Sequence, residues 1–233
     1  MFSAQVIPHV YQITFRHANV FLIVEDSLTL IDTGYPGNTK SLIGFIHKLG
    51  RSPEEIKLII LTHNHLDHTG GLAALRKMTS AKVAAPQIDF TLGKDIFPYP
   101  GPKSLGKLMK APILSSIRNR LVLSAKTPDV LLNGGEMLPV LRGLQVVSTP
   151  GHTAGSISLY APQRKLLFVA DAINKRHGLH LPLKTATTDI NEAIASIEKM
   201  TQLDVETICF GHGRPITEDA NGRLESLLEK VRN

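Results

Sequence analysis

One run of six residues, His63-Asn64-His65-Leu66-Asp67-His68, constrains this chain more than any other feature. It brings three imidazoles and a carboxylate so close together that holding them without a metal ion would be costly. Imidazole and carboxylate groups are suitable ligands for zinc, and also for iron or manganese. His63 and His65 are alternate residues of an extended loop, so they can face one ion, whereas Asp67 and His68 follow as the chain turns into a helix. The run therefore predicts a metal site on a loop.

Three further loops supply candidate ligands, each at the point where an apolar strand stops. They are His152 in TPGHTAGS, Asp171 in FVADA and His212 in FGHGRP. The complete set of predicted metal ligands is His63, His65, Asp67, His68, His152, Asp171 and His212. A set of this size can hold two ions, and two cations about 3.5–4 Å apart can share one water and lower its pKa to roughly 7. We therefore predict a binuclear site with two Zn²⁺ ions, and iron or manganese as alternatives.

The spacing of apolar residues predicts alternating strands and helices around these loops. Strands are predicted at 10–15, 19–26, 28–34, 56–63, 81–86, 144–152, 155–162, 165–172 and 205–213. Helices are predicted at 38–49, 70–78, 189–200 and 222–233, the third with Asp189 as its N-terminal cap. Such alternation is typical of sheets covered by helices. Neither a repeat nor a low-complexity linker divides the chain, so we predict a single domain over residues 1–233.

Residues 86–127 break this alternation, and we interpret them as a helical lid insertion. The stretch FPYPGPKS is too rich in proline and glycine for regular structure, and an amphipathic segment follows it. Residues 96–128 carry six basic and no acidic side chains, so the net charge of +6 comes from this segment alone. It is either a solvated basic face or a lid with an apolar wall whose lysines favour an anionic substrate. The wall would comprise Phe97, Tyr99, Leu105, Leu108 and Met109.

Composition excludes several classes of protein. An apolar fraction of 42% excludes wholesale disorder, and no run of 18 apolar residues is present to cross a membrane. The single cysteine, Cys209, excludes a disulfide scaffold and a cysteine-rich zinc module, and its place within a strand indicates a core residue. No basic segment followed by an apolar stretch opens the sequence, so we expect a cytoplasmic protein.

The ligand run, with His152, Asp171, His212 and the upstream LIDTG that contains Asp32, resembles the metallo-β-lactamase superfamily over nearly the whole chain. The resemblance implies an α/β fold, a four-layer αββα sandwich with the metals at one edge of its two sheets. It implies that the first metal is held by His63, His65 and His152. It implies that the second is held by Asp67, His68 and His212, with Asp171 bridging the two. Asp32 would brace the ligand loop rather than bind metal.

The resemblance also implies a metal-dependent hydrolase of an ester, thioester or lactone. A hydroxide that bridges the metals would attack the carbonyl carbon, and Asp67 would be catalytic, orienting the hydroxide and moving its proton. The substrate would be a small molecule, anionic or with an apolar chain. Two enzymatic alternatives stay open, a phosphodiesterase or ribonuclease of the same fold and an iron-dependent persulfide dioxygenase. A non-catalytic metal-binding module is a further alternative.

Departures from the known branches leave the substrate undefined. Secreted β-lactamases that use a cysteine ligand carry it where this chain has Asp171. Acyl-homoserine lactonases use a tyrosine downstream of the bridging aspartate, whereas the last tyrosine here is Tyr160. Glyoxalase II enzymes have a C-terminal helical extension that this chain largely lacks, and β-CASP nucleases and flavodiiron proteins need a further domain. Beside the predicted ligands, Tyr35, Lys175, Arg176, His177 and His180 are candidates for the rim of the site.

Overall fold

The computed structural model describes residues 1–16, 18–91, 127–175 and 178–232. The strands are β1 (Phe2–Ile7), β2 (Val10–Phe15), β3 (Ala18–Val24), β4 (Leu28–Ile31), β5 (Ile56–Ile60), β6 (Lys82–Pro86), β7 (Val130–Leu132), β8 (Met137–Leu138), β9 (Leu144–Ser148), β10 (Ile157–Ala161), β11 (Leu166–Ala170) and β12 (Thr207–Phe210). The helices are α1 (Thr39–Lys48), α2 (Leu66–Thr69), α3 (Leu72–Met78), α4 (Gln87–Thr91), α5 (Ile190–Thr201) and α6 (Ala220–Arg232). Short 3₁₀ turns occur at Pro53–Glu55, Pro162–Arg164 and Lys184–Ala186.

Within these ranges the strands form two mixed sheets. The first has the order β1-β2-β3-β4-β5-β6-β7, antiparallel up to β4 and parallel from there on. The second has the order β12-β11-β10-β9-β8 and is antiparallel except for the parallel pair β11–β12. Strands β4, β11 and β12 are buried along their whole length, as expected where both faces of a sheet are covered.

Three apolar clusters define the layers. One lies between the sheets, where the Phe21 and Phe168 rings pack edge to face with centroids 5.1 Å apart. A second lies between the first sheet and helices α1 and α3, where Leu22 packs in the same cluster as Leu42. A third lies between the second sheet and helices α5 and α6, and contains Ile197. Neighbouring residues of β3 alternate between the first two clusters, so the predicted four-layer αββα sandwich is confirmed.

The predicted and observed elements differ mostly at strand ends and edges. The strands predicted at 56–63, 144–152, 165–172 and 205–213 stop earlier, so the ligand motifs lie in the loops just beyond them. Strands β1, β7 and β8 were not predicted, because β1 is an exposed or half-buried edge and the other two are very short. The cap of α5 is confirmed, since the Asp189 carboxylate accepts hydrogen bonds from the amides of Asn191 and Glu192.

Part of the predicted lid can be described. Residues 87–91 are helix α4, directly after β6, and β7 begins soon after the insertion ends. The remainder of the insertion, including Phe97 and Tyr99, lies outside the described residues, as do Arg176 and His177. The single-domain prediction stays a prediction. In the described ranges no helix has the length and hydropathy needed to cross a membrane.

Candidate metal centre

The seven predicted ligands meet at one edge of the sandwich, because each follows the carboxyl end of a strand. His63, His65, Asp67 and His68 follow β5, and the last two lie in α2. His152 follows β9, Asp171 follows β11 and His212 follows β12. Three overlapping groups have ligand atoms that lie within 4.8 Å of one another: His63, His65 and His152; His63, His68 and Asp171; Asp67, His68 and His212. The structure therefore brings together every residue that the sequence predicts as a ligand.

The first group, which we call the histidine trio, consists of His63, His65 and His152. His65 Nδ1 lies 3.1 Å from His63 Nε2 and 2.9 Å from His152 Nε2, so three ring nitrogens converge on one point. All three residues are buried. Burial lowers the pKa of His152 to about 4 and that of His63 well below its ordinary value. The trio is therefore neutral near pH 7, which is the form in which imidazole binds a metal.

The other part, which we call the open half, consists of Asp67, His68 and His212. Asp67 Oδ2 lies 3.5 Å from His212 Nε2 and 3.8 Å from His68 Nε2. The side chains of Asp67 and His212 are 23% and 34% exposed, whereas that of His68 is fully buried. Among the described residues, the site is therefore open to solvent on the side of Asp67 and His212.

Asp171 lies between the two parts. Its Oδ2 is 3.1 Å from His212 Nε2 and 3.6 Å from His152 Nε2, and its Oδ1 is 3.4 Å from His68 Nε2. Burial would raise the pKa of Asp171, but the His212 and His68 imidazoles hold it well below its usual range. Burial would lower the pKa of His68, but Asp171, Asp32 and Asp67 raise it well above its usual value. Asp171 and His68 are therefore both charged, in contrast to the neutral imidazoles of the trio.

The donor set fits bound divalent cations. His68 Nε2 and Asp171 Oδ1 are both buried and lie 3.4 Å apart, and beyond such ion-pair contacts neither makes a regular hydrogen bond within the described chain. Polar atoms buried in this way are normally satisfied, and a cation placed among imidazole nitrogens and a carboxylate would satisfy them. The mixture of nitrogen and oxygen donors suits zinc, iron or manganese.

Asp32 braces the ligand loop, in agreement with the role that the family resemblance implies. Its carboxylate accepts hydrogen bonds from the amide and the hydroxyl of Thr62, both at 2.9 Å, and its Oδ2 lies 2.7 Å from His68 Nδ1. This contact at Nδ1 turns His68 Nε2 towards the site. Asp32 has a φ of 60° and Ala170, directly before Asp171, one of 47°. Non-glycine residues rarely adopt such angles, and strain of this kind clusters at functional sites.

Sequence reasoning missed two residues that hold the ligand loops. The buried Asp89 carboxylate accepts hydrogen bonds from the loops that carry His65 and His152, as detailed below. The buried Asn19 side chain donates to the carbonyl oxygens of Phe210 and Gly213, on either side of His212, at 2.8 and 2.7 Å. Asp89 could have been found as an acidic residue shortly after a buried strand at the ligand edge. No local pattern marks Asn19.

Two of the predicted rim residues lie at the open half. Tyr35 is half-buried, and burial followed by the negative charge of Asp67 raises its pKa, so its phenol lies in the field of that carboxylate. The Lys175 stem lies against Gly213, next to His212 in the chain. His180 exchanges two backbone hydrogen bonds with Asn174, which ties the segment after β11 back on itself.

Comparison with known proteins agrees with this geometry. The sequence model of the Metallo-beta-lactamase superfamily matches residues 13–212, a range that contains every predicted ligand. The probable metallo-hydrolase YflN of Bacillus subtilis is 28% identical over 226 residues, which cover 89% of this chain and 85% of that protein. The hydroxyacylglutathione hydrolase of Bartonella tribocorum is 28% identical over 155 residues, which cover 66% of this chain and 47% of that enzyme. This chain therefore matches about half of the latter.

A solved structure shows the same fold. The metallo-beta-lactamase family protein TTHA1429 of Thermus thermophilus superposes with a TM-score of 0.72 at 21% identity. The superposition covers 98% of this chain and 81% of that chain. At that identity the likeness concerns the fold alone, and it agrees with the two sheets and the outer helices described above.

Proposed function

Because the chain belongs to the metallo-beta-lactamase superfamily and is a metal-binding hydrolase, we propose that it cleaves an ester, thioester or lactone of a small molecule. The observation that carries this proposal is the pairing of two unlike donor sets around Asp171. One is the buried, neutral histidine trio, and the other is the charged open half that solvent can reach. This arrangement suits a binuclear hydrolase, since one set can hold its ion firmly while the other meets substrate and water.

We assign the ligands to two ions by the distances between their donor atoms. The trio would hold the first ion, the open half would hold the second, and Asp171 would contribute to both. We propose zinc, with iron and manganese as alternatives. Ions bound there would supply Lewis acidity towards a carbonyl oxygen and lower the pKa of a water molecule.

Asp67 is the residue that we propose to move protons. Its carboxylate is the acidic group of the site nearest to solvent, and its Oδ2 faces both His68 and His212. From that position Oδ2 can accept a proton from the attacking water and return it to the leaving group, which is the alkoxide of an ester or lactone or the thiolate of a thioester. Asp32 holds the His68 ring in place beside Asp67.

A carbonyl substrate has support from the relatives. The Bartonella relative is a hydroxyacylglutathione hydrolase by name, hydroxyacylglutathione is a thioester, and the match covers two thirds of this chain. The site requires no nucleophile from the protein, which suits any activated acyl group. An anionic or apolar portion of the substrate would lie at the rim, beside Tyr35 and Lys175.

The experiment that tests this proposal is a substrate panel with measured metal content. The purified protein, loaded with Zn²⁺, Mn²⁺ or Fe²⁺ after chelation, is assayed on a p-nitrophenyl ester, an acylglutathione thioester, a lactone and bis(p-nitrophenyl) phosphate, and its oxygen uptake is measured with a persulfide. We expect turnover of at least one carbonyl substrate and loss of turnover on chelation. Cleavage of the phosphodiester alone, oxygen uptake with a persulfide alone, or full metal occupancy without any turnover would each refute it.

A further inference from the structure

We propose that Asp89 is a positioning residue that sets the metal affinity of the histidine trio, by joining the two loops that carry its ligands. The first loop holds His63 and His65, and the second holds His152. This inference concerns metal binding by the protein and is independent of which substrate the site takes.

The Asp89 carboxylate connects both loops directly. Its Oδ2 accepts a hydrogen bond from the backbone amide of Asn64 at 3.1 Å, and Asn64 lies between His63 and His65 in the chain. The same oxygen accepts a hydrogen bond from the Thr153 hydroxyl at 2.7 Å, and Thr153 directly follows His152. Each ligand loop is therefore held through a residue adjacent to a ligand.

Further contacts tighten this connection. Asp89 Oδ1 accepts a hydrogen bond from the Gly155 amide at 2.7 Å, and the Asn64 side chain donates to the Asp89 carbonyl oxygen at 3.3 Å. Gly155 has to be glycine for so close an approach, because a Cβ there would lie 2.5 Å from Asp89 Oδ1 and 2.7 Å from the Asp89 amide nitrogen. The Thr153 hydroxyl also lies 2.6 Å from Ser156 Oγ, which closes the turn after His152.

Metal affinity depends on this connection because the two loops come from different sheets. His152 Nε2 and His65 Nδ1 lie 2.9 Å apart, and this distance is kept only if the loop after β9 holds its position relative to the loop after β5. Asp89 is itself buried, so its hydrogen bonds face little competition from water. Groups that orient metal ligands in this way typically account for about 10- to 100-fold in metal affinity.

The effect should be selective for the trio. The side-chain hydrogen bonds described for Asp89 all go to the two trio loops. The open half has supports of its own, since Asp32 contacts His68 and Asn19 holds the loop of His212. Asp32 also contacts Thr62, next to His63, whereas Asn19 has no described contact with the trio loops. A change at Asp89 should therefore weaken one ion and spare the other, whereas a general loss of stability would weaken both.

The test uses Asp89→Asn, which keeps the shape but turns one oxygen acceptor into an NH₂ donor facing donors. Zn²⁺ dissociation constants are measured by chelator competition, and the donor atoms around each ion are followed by the absorption spectrum of the Co²⁺-loaded protein. We expect one of the two constants to weaken about 10- to 100-fold with its spectral component altered. Asp32→Asn should alter the other component. The control is Asp129→Asn. Asp129 also accepts a hydrogen bond from a backbone amide, that of Val83, but it lies away from the metal centre.

A second pair of variants covers the case in which Asp89→Asn does not fold. Thr153→Val removes the hydroxyl that bonds Asp89 while leaving the carboxylate in place, and Thr153→Ser restores that hydroxyl. We expect Thr153→Val to weaken the same constant and Thr153→Ser to keep it near the wild-type value. The proposal is overturned if both constants stay at the wild-type value in Asp89→Asn, if both weaken equally, or if Thr153→Ser behaves as Thr153→Val does. Because these readouts use the metal alone, a negative substrate panel would leave them intact.

Discussion

The two parts of the metal centre differ in burial and in charge. The histidine trio is closed to solvent, with His63, His65 and His152 at 1%, 8% and 4% exposure, whereas the Asp67 and His212 side chains of the open half are 23% and 34% exposed. Burial lowers the pKa of each trio imidazole, so the trio is neutral. In the open half, burial opposes protonation of His212, but Asp171 outweighs it and raises the His212 pKa.

This difference separates two tasks. Neutral buried imidazoles present lone pairs without a bound proton, so an ion there meets no competition from protons near pH 7. Imidazoles with a raised pKa keep a proton to higher pH, so an ion in the open half has to displace it and is held less firmly as the pH falls. We therefore expect the trio to retain its ion while the open half exchanges ligands with solvent and substrate.

The largest effect is expected from His63→Ala, because His63 is shared between the trio and the group that contains His68 and Asp171. Its loss should remove metal from both parts and with it several kcal/mol of transition-state stabilisation, or roughly 10³-fold in kcat/KM. Metal content per chain and turnover on the best panel substrate are the measurements. His47→Ala, which removes an exposed imidazole of α1, is the control and should change neither. Retention of both metals and of activity in His63→Ala would refute the assignment.

Asp67→Asn should separate the two parts. The variant removes the proposed proton carrier but leaves the trio intact, so kcat should fall at least about 10²-fold while the trio keeps its ion. Steady-state kinetics and metal analysis of the same preparation test this. Asp26→Asn is a suitable control, since Asp26 is an exposed carboxylate in the β3–β4 turn, at the opposite edge of the sheet. An unchanged kcat would show that Asp67 carries no proton in the rate-limiting step.

A smaller effect is expected from Gly211→Ala, which perturbs the open half without removing a ligand. A Cβ at Gly211 would clash with Asp171 Oδ1 and lie 2.9 Å from His68 Cε1, so those two side chains must shift. A misplaced ligand should cost about 10- to 100-fold in activity. The matched control is Gly44→Ala in α1, where a Cβ has open space and should stabilise the helix by up to about 1 kcal/mol. If Gly211→Ala were as active as Gly44→Ala, Asp171 would not need its observed position.

The ligands and the bracing residue Asp32 could be predicted from sequence, whereas the supports Asp89 and Asn19 were missed, and the reason is physical. His152, Asp171 and His212 each lie beside glycine or alanine just after an apolar strand, and the other four ligands form one run after β5. The carboxyl ends of these strands meet at one edge of the fold. Asp89 and Asn19 act through partners in distant parts of the chain. The place of Asp89 shortly after a buried strand is a local signal, but it does not indicate which loops the carboxylate joins, and Asn19 has no such signal. Strand β1 was missed because an edge strand with no fully buried residue has no apolar alternation. The spacing of apolar residues indicates which face of a segment is buried, but it does not indicate which polar groups that segment contacts.

The smallest effect is expected from a substitution of Cys209. If Cys209 bound metal, the comparison between the histidine trio and the open half would change. It lies three positions before His212, but its side chain is fully buried in the cluster between the sheets and is paired in register with Phe168. Burial raises the pKa of the Cys209 thiol, so little thiolate is present either to bind metal or to react. Cys209→Ala should therefore keep both ions and full activity and lose only about 1 kcal/mol of unfolding free energy to the small cavity.

The native protein should also resist alkylation by iodoacetamide until it is denatured, as mass spectrometry would show. Loss of metal in Cys209→Ala, with a folded circular dichroism spectrum, would place a sulfur ligand in the open half and remove its contrast with the trio.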